Sequence, residues 1–182
     1  GHILALFSTC NPPQSISKIK NSLPVEETIQ LIHGAGGIAI AAHVNHELGL
    51  RDNVYRVNEI IDGVEEYNAA AGYSSRTNLA RKLGVAQIAG SDAHTKITIG
   101  LAFTTFPKKE CLDERGVVSL NKIIECIKQR KTKGHMIPVT TIEKQFNKAR
   151  WINPFYSAKS FIEYFNDEQR KIPRKLEACL VE

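Results

Sequence analysis

The chain has 182 residues, 42% of them hydrophobic and 24% charged, and a net charge of +5, enough to bury one sizeable core and an argument against a second full domain. Cys10, Cys111, Cys126 and Cys179 are scattered, with no C-x-x-C pair, which argues against a thiolate zinc site and a disulfide framework and favours a reducing compartment. The longest apolar stretch, residues 34–44, is too short and too rich in Gly and Ala to cross a bilayer, and no basic segment followed by an apolar one opens the chain, so a cytoplasmic protein without a membrane partner is expected.

The chain begins Gly1-His2 and runs directly into an apolar strand over residues 3–7; the competing reading of His2 is a remnant of tag cleavage. Residues 8–22, with Pro12 and Pro13, read as a loop. From Pro24, the apolar residues Val25, Ile29 and Ile32 recur at helical spacing. Glu26 and Glu27 sit in the favourable first turn, and Gly34, Gly36 and Gly37 end the helix. His33 falls off the apolar face and reads as a solvated helix residue. Residues 37–42 form a small-residue strand that delivers His43 at its C-terminal end.

A helix is expected over residues 51–61, then a strand over Gly63-Val64-Glu65-Glu66-Tyr67-Asn68, a helix over 74–83 ended by Gly84, and a strand over 85–89. Strand and helix alternate at βαβ spacing, so a largely parallel sheet or barrel is expected, and in such architectures sites gather where strands end. The last of these strands opens into Gly90-Ser91-Asp92-Ala93-His94-Thr95. On an extended segment Asp92 and His94 point to the same side, so both can reach neighbouring metal ions. The competing reading is that Asp92 caps the next element and His94 lies on the surface.

Residues 99–106 read as a strand. Ser119 could cap a helix whose Leu120, Ile123, Ile124 and Ile127 follow the i, i+3, i+4, i+7 rule, and the basic run 128–133 before Gly134 reads as a solvated helix end. Residues 135–182 read as a helical extension: Ile142 with Phe146, and Ala158, Phe161, Ile162 and Phe165, mark two amphipathic helices, and Trp151 and Phe155 read as core. Charge divides unevenly, with eight Lys or Arg against nine Asp or Glu in residues 1–106 and sixteen against ten in 107–182. A basic tail can favour an anionic partner, but ordinary surface chemistry is the commoner meaning, so nucleic acid is not the favoured partner.

Four blocks carry a resemblance: His2-Ile3-Leu4-Ala5-Leu6, then Gly36-Gly37-Ile38-Ala39-Ile40-Ala41-Ala42-His43, then Asp62-Gly63-Val64-Glu65-Glu66-Tyr67-Asn68-Ala69, then Ala89-Gly90-Ser91-Asp92-Ala93-His94. In order and spacing, over residues 1–134, the chain resembles the later motifs of the PHP (polymerase and histidinol phosphatase) domain. The resemblance implies an α/β fold, a distorted (β/α)7 barrel holding up to three divalent metal ions, Mn, Zn or Fe, and hydrolysing phosphate esters of small metabolites or nucleotides. Residues 1–134 would then be the C-terminal part of the PHP domain and 135–182 the extension.

By matching motif, the resemblance implies that His2 and His43 hold one metal, Asp92 a second and His94 a third, with Asp92 and His94 at the catalytic centre. Asn68 would support these ligands or contact substrate. His46 could touch substrate phosphate, though a solvated loop histidine is the competing reading. For these ligands to meet, the first strand should run antiparallel to its neighbour. Imidazole and carboxylate ligands suit Zn, Mn or Fe rather than Ca, and metal-activated water fits the absence of a Gly-x-Ser-x-Gly elbow and of a phosphate-binding Gly-x-x-x-x-Gly-Lys loop. The family's N-terminal His-x-His, its further histidines and its bridging glutamate are absent, and Glu65 and Glu66, on a later strand, do not replace them. The expectation is therefore the C-terminal part of a longer PHP protein, partnered by the missing N-terminal half of the barrel. The alternative is a non-catalytic PHP-like module that binds a partner or nucleic acid.

Overall fold

The computed structural model describes residues 1–9, 13–20, 23–70, 73–74, 78–93, 99–137 and 180–181. Strand β1, Ile3–Leu6, is followed by a short 3-10 turn and by helix α1, Val25–Gly34. Pro24 sits at the cap position of α1, Glu26 and Glu27 occupy its first turn, and Ile29 and Ile32 are buried. The helix stops at Gly36, whose φ of 80° only glycine adopts readily; its N–H reaches the His33 carbonyl and that of Gly37 the Ile32 carbonyl, a Schellman closure.

Strand β2, Ile38–Ala41, is buried on both faces, and its alternation decides what packs where. Ala39 and Ala41 join a layer with Ile29, Ile32, Val64, Leu79 and Leu83, whereas Ile38 and Ile40 face Ala86, Ile88, Ile124 and Ile127. Small residues of β2 face the layer that contains α1, and its large ones face the opposite layer.

Residues 51–61 depart from the expected helix: only Arg51–Tyr55 form a 3-10 helix, followed by turns. The N–H groups of Asn53, Arg56 and Ile60 bond three residues back, and of this group only Ile61 also closes a four-residue step, to Val57. Val54, Val57 and Ile61 are nonetheless buried, so the apolar spacing fitted a core face. Two β-branched valines and two asparagines, all weak helix formers, explain the tighter turns.

Strand β3, Gly63–Asn68, is where the sequence places it. It is followed by the two-residue β4, Tyr73–Ser74, the one-and-a-half-turn α2, Leu79–Leu83, and β5, Ala86–Gly90. Then come β6, Ala102–Pro107, α3, Lys108–Cys111, α4, Leu120–Lys128, β7, Lys133–Met136, and β8, Leu180–Val181. Ser119 does precede α4, but its side chain makes no capping bond.

These strands do not form the expected (β/α)7 barrel. The main sheet has five strands: β1 pairs antiparallel with β2, β2 parallel with β3, and β3 with both β4, antiparallel, and β5, parallel. A separate three-stranded sheet runs β7-β6-β8. A closed barrel has no edges, whereas β1 stands at the end of the pairing order with Leu4 and Leu6 exposed. Among the described residues only two pairings within the main sheet are parallel, and β2 joins β3 through a 3-10 helix and turns rather than an α-helix. The two sheets meet where Thr104 Oγ1 accepts from the Ala89 N–H and donates to the Ala89 carbonyl, at 2.9 and 3.0 Å. The expected strand over 99–106 is thus real but shifted, and β7 crosses the boundary drawn at 134. The helices expected within 138–179, including Trp151 and Phe155, lie outside the described residues. Among the described residues no helix is long and apolar enough to cross a membrane.

Candidate functional site

Because β2, β3 and β5 run parallel, their C-terminal ends lie along one edge of the sheet, and antiparallel β1 brings its N-terminal end to the same place. The antiparallel first strand inferred from the ligand pattern is therefore what the chain adopts. His2 is clamped there by its own backbone: its N–H donates to the Leu48 carbonyl at 2.7 Å and its carbonyl accepts from Ala42 at 3.2 Å. Its Nδ1 faces His43 Nε2 at 3.0 Å, with the rings edge to face.

His43 lies just past β2 with φ at 26°, a conformation that a residue with a Cβ enters only under constraint. His46, one turn further on, sets its ring edge to face against His43, centroids 5.1 Å apart, and its Nδ1 accepts the Leu48 N–H. That bond leaves the neutral His46 ring with its proton on Nε2.

Beneath the imidazoles lies a residue the sequence reading set aside. Glu65 on β3 is 4% exposed; its Oε2 accepts the His43 backbone N–H at 2.7 Å and Asn68 Nδ2 at 3.0 Å. Asn68, 2% exposed, also donates to Asp92 Oδ2 at 3.3 Å. Residues three apart on a regular strand face opposite ways, yet these two share a side because the pairing of β3 with β5 shifts by one residue between Glu65 and Tyr67. The extra residue, Glu66, turns the other way and accepts the backbone N–H groups of Asn78 and Ala80 at the start of α2. Burial raises the Glu65 carboxyl above the ordinary carboxylate range; the bonds from Asn68 and His43 oppose this and the Asp92 charge adds to it. The signal in the sequence was a Glu pair inside a strand otherwise apolar enough to be buried, since a buried carboxylate needs partners.

Of the residues expected at the site, His2, His43 and His46 are brought together, and Asn68 and Asp92 are joined to His43 through Glu65. Asn68 is spent on two carboxylates below the surface, whereas Asp92 is exposed on the rim with φ at 47°. His94 lies outside the described residues. His33 and His135 do not take part: His33 Nε2 bonds Asp62 Oδ2 at 2.7 Å and His135 Nε2 bonds Thr105 Oγ1 at 3.0 Å.

Among the described residues no three His, Cys, Asp or Glu side chains converge as a metal cluster. The two imidazole nitrogens of His2 and His43 are at hydrogen-bonding distance, 3.0 Å, whereas two tetrahedral zinc ligands at about 2.1 Å stand about 3.4 Å apart, so the rings must part by a few tenths of an ångström to share one cation. His43 Nδ1 is also buried without a hydrogen-bond partner among the described residues, so the polar atoms around this ring are not fully used by the protein.

Residues 77–132 match the family model described as PHP-associated. The match covers less than a third of the 182 residues and is a similarity of that stretch alone. This segment runs from the start of α2 through β5, β6 and α3 to the end of α4, and it contributes Asp92 to the rim. His2, His43, His46, Glu65 and Asn68 all precede the matched stretch, and the strand that carries Glu65 and Asn68 meets it along the β3–β5 pairing. No match to a curated protein was found.

Proposed function

We propose that the chain forms part of a metal-dependent phosphoesterase that hydrolyses a phosphate ester of a small metabolite or nucleotide. The observation that supports this best is the facing pair His2 Nδ1 and His43 Nε2, 3.0 Å apart, on a rim shared with Asp92. In this reading His2 and His43 hold a Mn, Zn or Fe ion, and Asp92 and His94 supply ligands for others. A bound divalent cation would polarise a phosphate oxygen and make a coordinated water a better nucleophile. The protein's own groups do the rest. His46, with a proton on Nε2, donates to a phosphate oxygen, and Asn68 and Glu65 keep Asp92 and the His43 backbone in place. The ligands that would complete a three-metal site are proposed to come from a further PHP segment acting as partner.

The competing reading is a binding module without catalysis, favoured by the lack of a three-ligand cluster among the described residues. Its nucleic-acid version is weakened because Lys131 pairs with Glu110 and Lys128 with Glu125, so part of the basic run is already neutralised. The test is calorimetric titration of the full chain with Zn²⁺ alongside hydrolysis of p-nitrophenyl phosphate in Mn²⁺, for the parent and for His43→Ala and Asp92→Asn. The phosphoesterase reading expects metal binding that both substitutions weaken, and turnover that follows binding. Absent metal binding, or binding untouched by either substitution, refutes it.

A further inference from the structure

We propose that Glu65 is a positioning residue, whose buried carboxylate fixes the backbone of His43 and, through Asn68, the carboxylate of Asp92. The inference deepens the reading of this rim as a cation site and rests on it only for its functional consequence. Three observations carry it. One Glu65 oxygen accepts from both the His43 N–H and Asn68 Nδ2, and the same Nδ2 reaches Asp92. Both residues at the far ends of this relay, His43 and Asp92, hold positive φ, and such strain persists only where surroundings over-determine it. The other Glu65 oxygen occupies the space where a Cβ on Gly90 would stand, two residues before Asp92, so β5 leaves room for the carboxylate.

The sharing of one side by Glu65 and Asn68 depends on the irregularity in β3, which a regular strand would undo. Such supporting groups hold ligands at their working geometry, and their loss weakens metal binding by about 10–100-fold.

The experiment compares the full chain with Glu65→Ala, Glu65→Gln, Gly90→Ala and the Gly90→Ala/Glu65→Ala double variant, using two readouts. Amide exchange at His43, against Val64 as a core reference, reports positioning without metal; Zn²⁺ titration reports its consequence. Glu65→Ala is expected to speed exchange at His43 at least about tenfold while Val64 stays protected, and to weaken Zn²⁺ about tenfold or more. Glu65→Gln, which keeps an acceptor oxygen, is expected to recover most of both. Gly90→Ala should mimic the loss alone and add little in the double variant, since the carboxylate it displaces is then gone.

Unchanged exchange at His43 in Glu65→Ala overturns the proposal, as does an unchanged Zn²⁺ affinity in a chain whose His43→Ala variant has lost it. If the parent chain binds no Zn²⁺, the phosphoesterase reading falls, and His43 exchange alone decides the role of Glu65. Should Glu65→Ala fail to fold, Gly90→Ala and Glu65→Gln carry the comparison.

Discussion

The substitution Ile40→Ala tests the claim that β2, which delivers His43, is held by two opposed apolar layers. Ile40 is 0% exposed and packs in the layer formed with Ile38, Ala86, Ile88, Ile124 and Ile127. Three buried carbons at about 0.8 kcal/mol each give about 2.4 kcal/mol of lost transfer free energy. A residual void of about 50 Å³ at about 24 cal/mol per Å³ adds about 1.2 kcal/mol, for an expected loss of about 3.5 kcal/mol. On the neighbouring strand β1, Leu4 pairs with Ile40 in register but is 44% exposed, so Leu4→Ala is the matched control and should cost less than about 1.5 kcal/mol. Urea denaturation of both variants, with the slope checked for constancy, measures the difference. A loss below about 1.5 kcal/mol for Ile40→Ala, or equal losses in the two variants, refutes the two-layer reading.

Removing the Glu66 carboxylate with Glu66→Ala strands the N–H groups of Asn78 and Ala80, and thermal denaturation should show a loss of about 2–4 kcal/mol; a loss under about 1 kcal/mol means the start of α2 does not depend on it. His135 is held below its ordinary value by burial and by the Lys133 charge. The unfolded chain therefore takes up this proton first, and stability falls as pH drops through about 6.5 and below. His135→Phe, which keeps an aromatic against Phe103, should flatten that acid-side slope of the melting temperature, and identical slopes would count against the assignment. Cys111 and Cys126 are buried free thiols with sulfurs 3.6 Å apart, and burial pushes Cys111 up to about 11. Iodoacetamide near neutral pH should therefore label neither until the chain is unfolded in urea, and mass mapping that finds Cys111 alkylated at the rate of an unfolded cysteine contradicts this.

What could be read from sequence was local and periodic. The start of α1 followed from Pro24, Glu26 and Glu27, its end from Gly36, and the extent of β3 from the turn at Asp62 and Gly63, because each signal acts within one turn of the residue that carries it. What could not be read depended on pairing across the chain. Cys111 and Cys126, fifteen positions apart, meet because α3 and α4 pack together, which the spacing of four cysteines does not encode. The alternation of strands and helices pointed to a parallel sheet or barrel and the family resemblance to a (β/α)7 barrel, but closure needs a partner strand for β1 on each side, and β1 presents exposed leucines at the end of the pairing order. Glu65 was missed for a similar reason: counting alternate residues along β3 separates it from Asn68, and only the register shift against β5 reunites them.

That shift also bears on why a site forms at this edge of the sheet at all. β2 and β5 flank β3, and each ends by turning a non-glycine residue through the left-handed region, His43 at 26° and Asp92 at 47°. Each such turn costs of order 1–3 kcal/mol. The residue between them, Glu65, is buried and reaches toward both strand ends at once, one through a backbone N–H and the other through Asn68. A carboxylate kept from water is itself destabilising unless its bonds are complete, so neither the strain nor the burial is accounted for by its own element alone. Both are offset by the bonds that form when β2, β3 and β5 are paired in this register, which makes the geometry of the imidazole pair and of Asp92 a property of the sheet rather than of the loops that carry them.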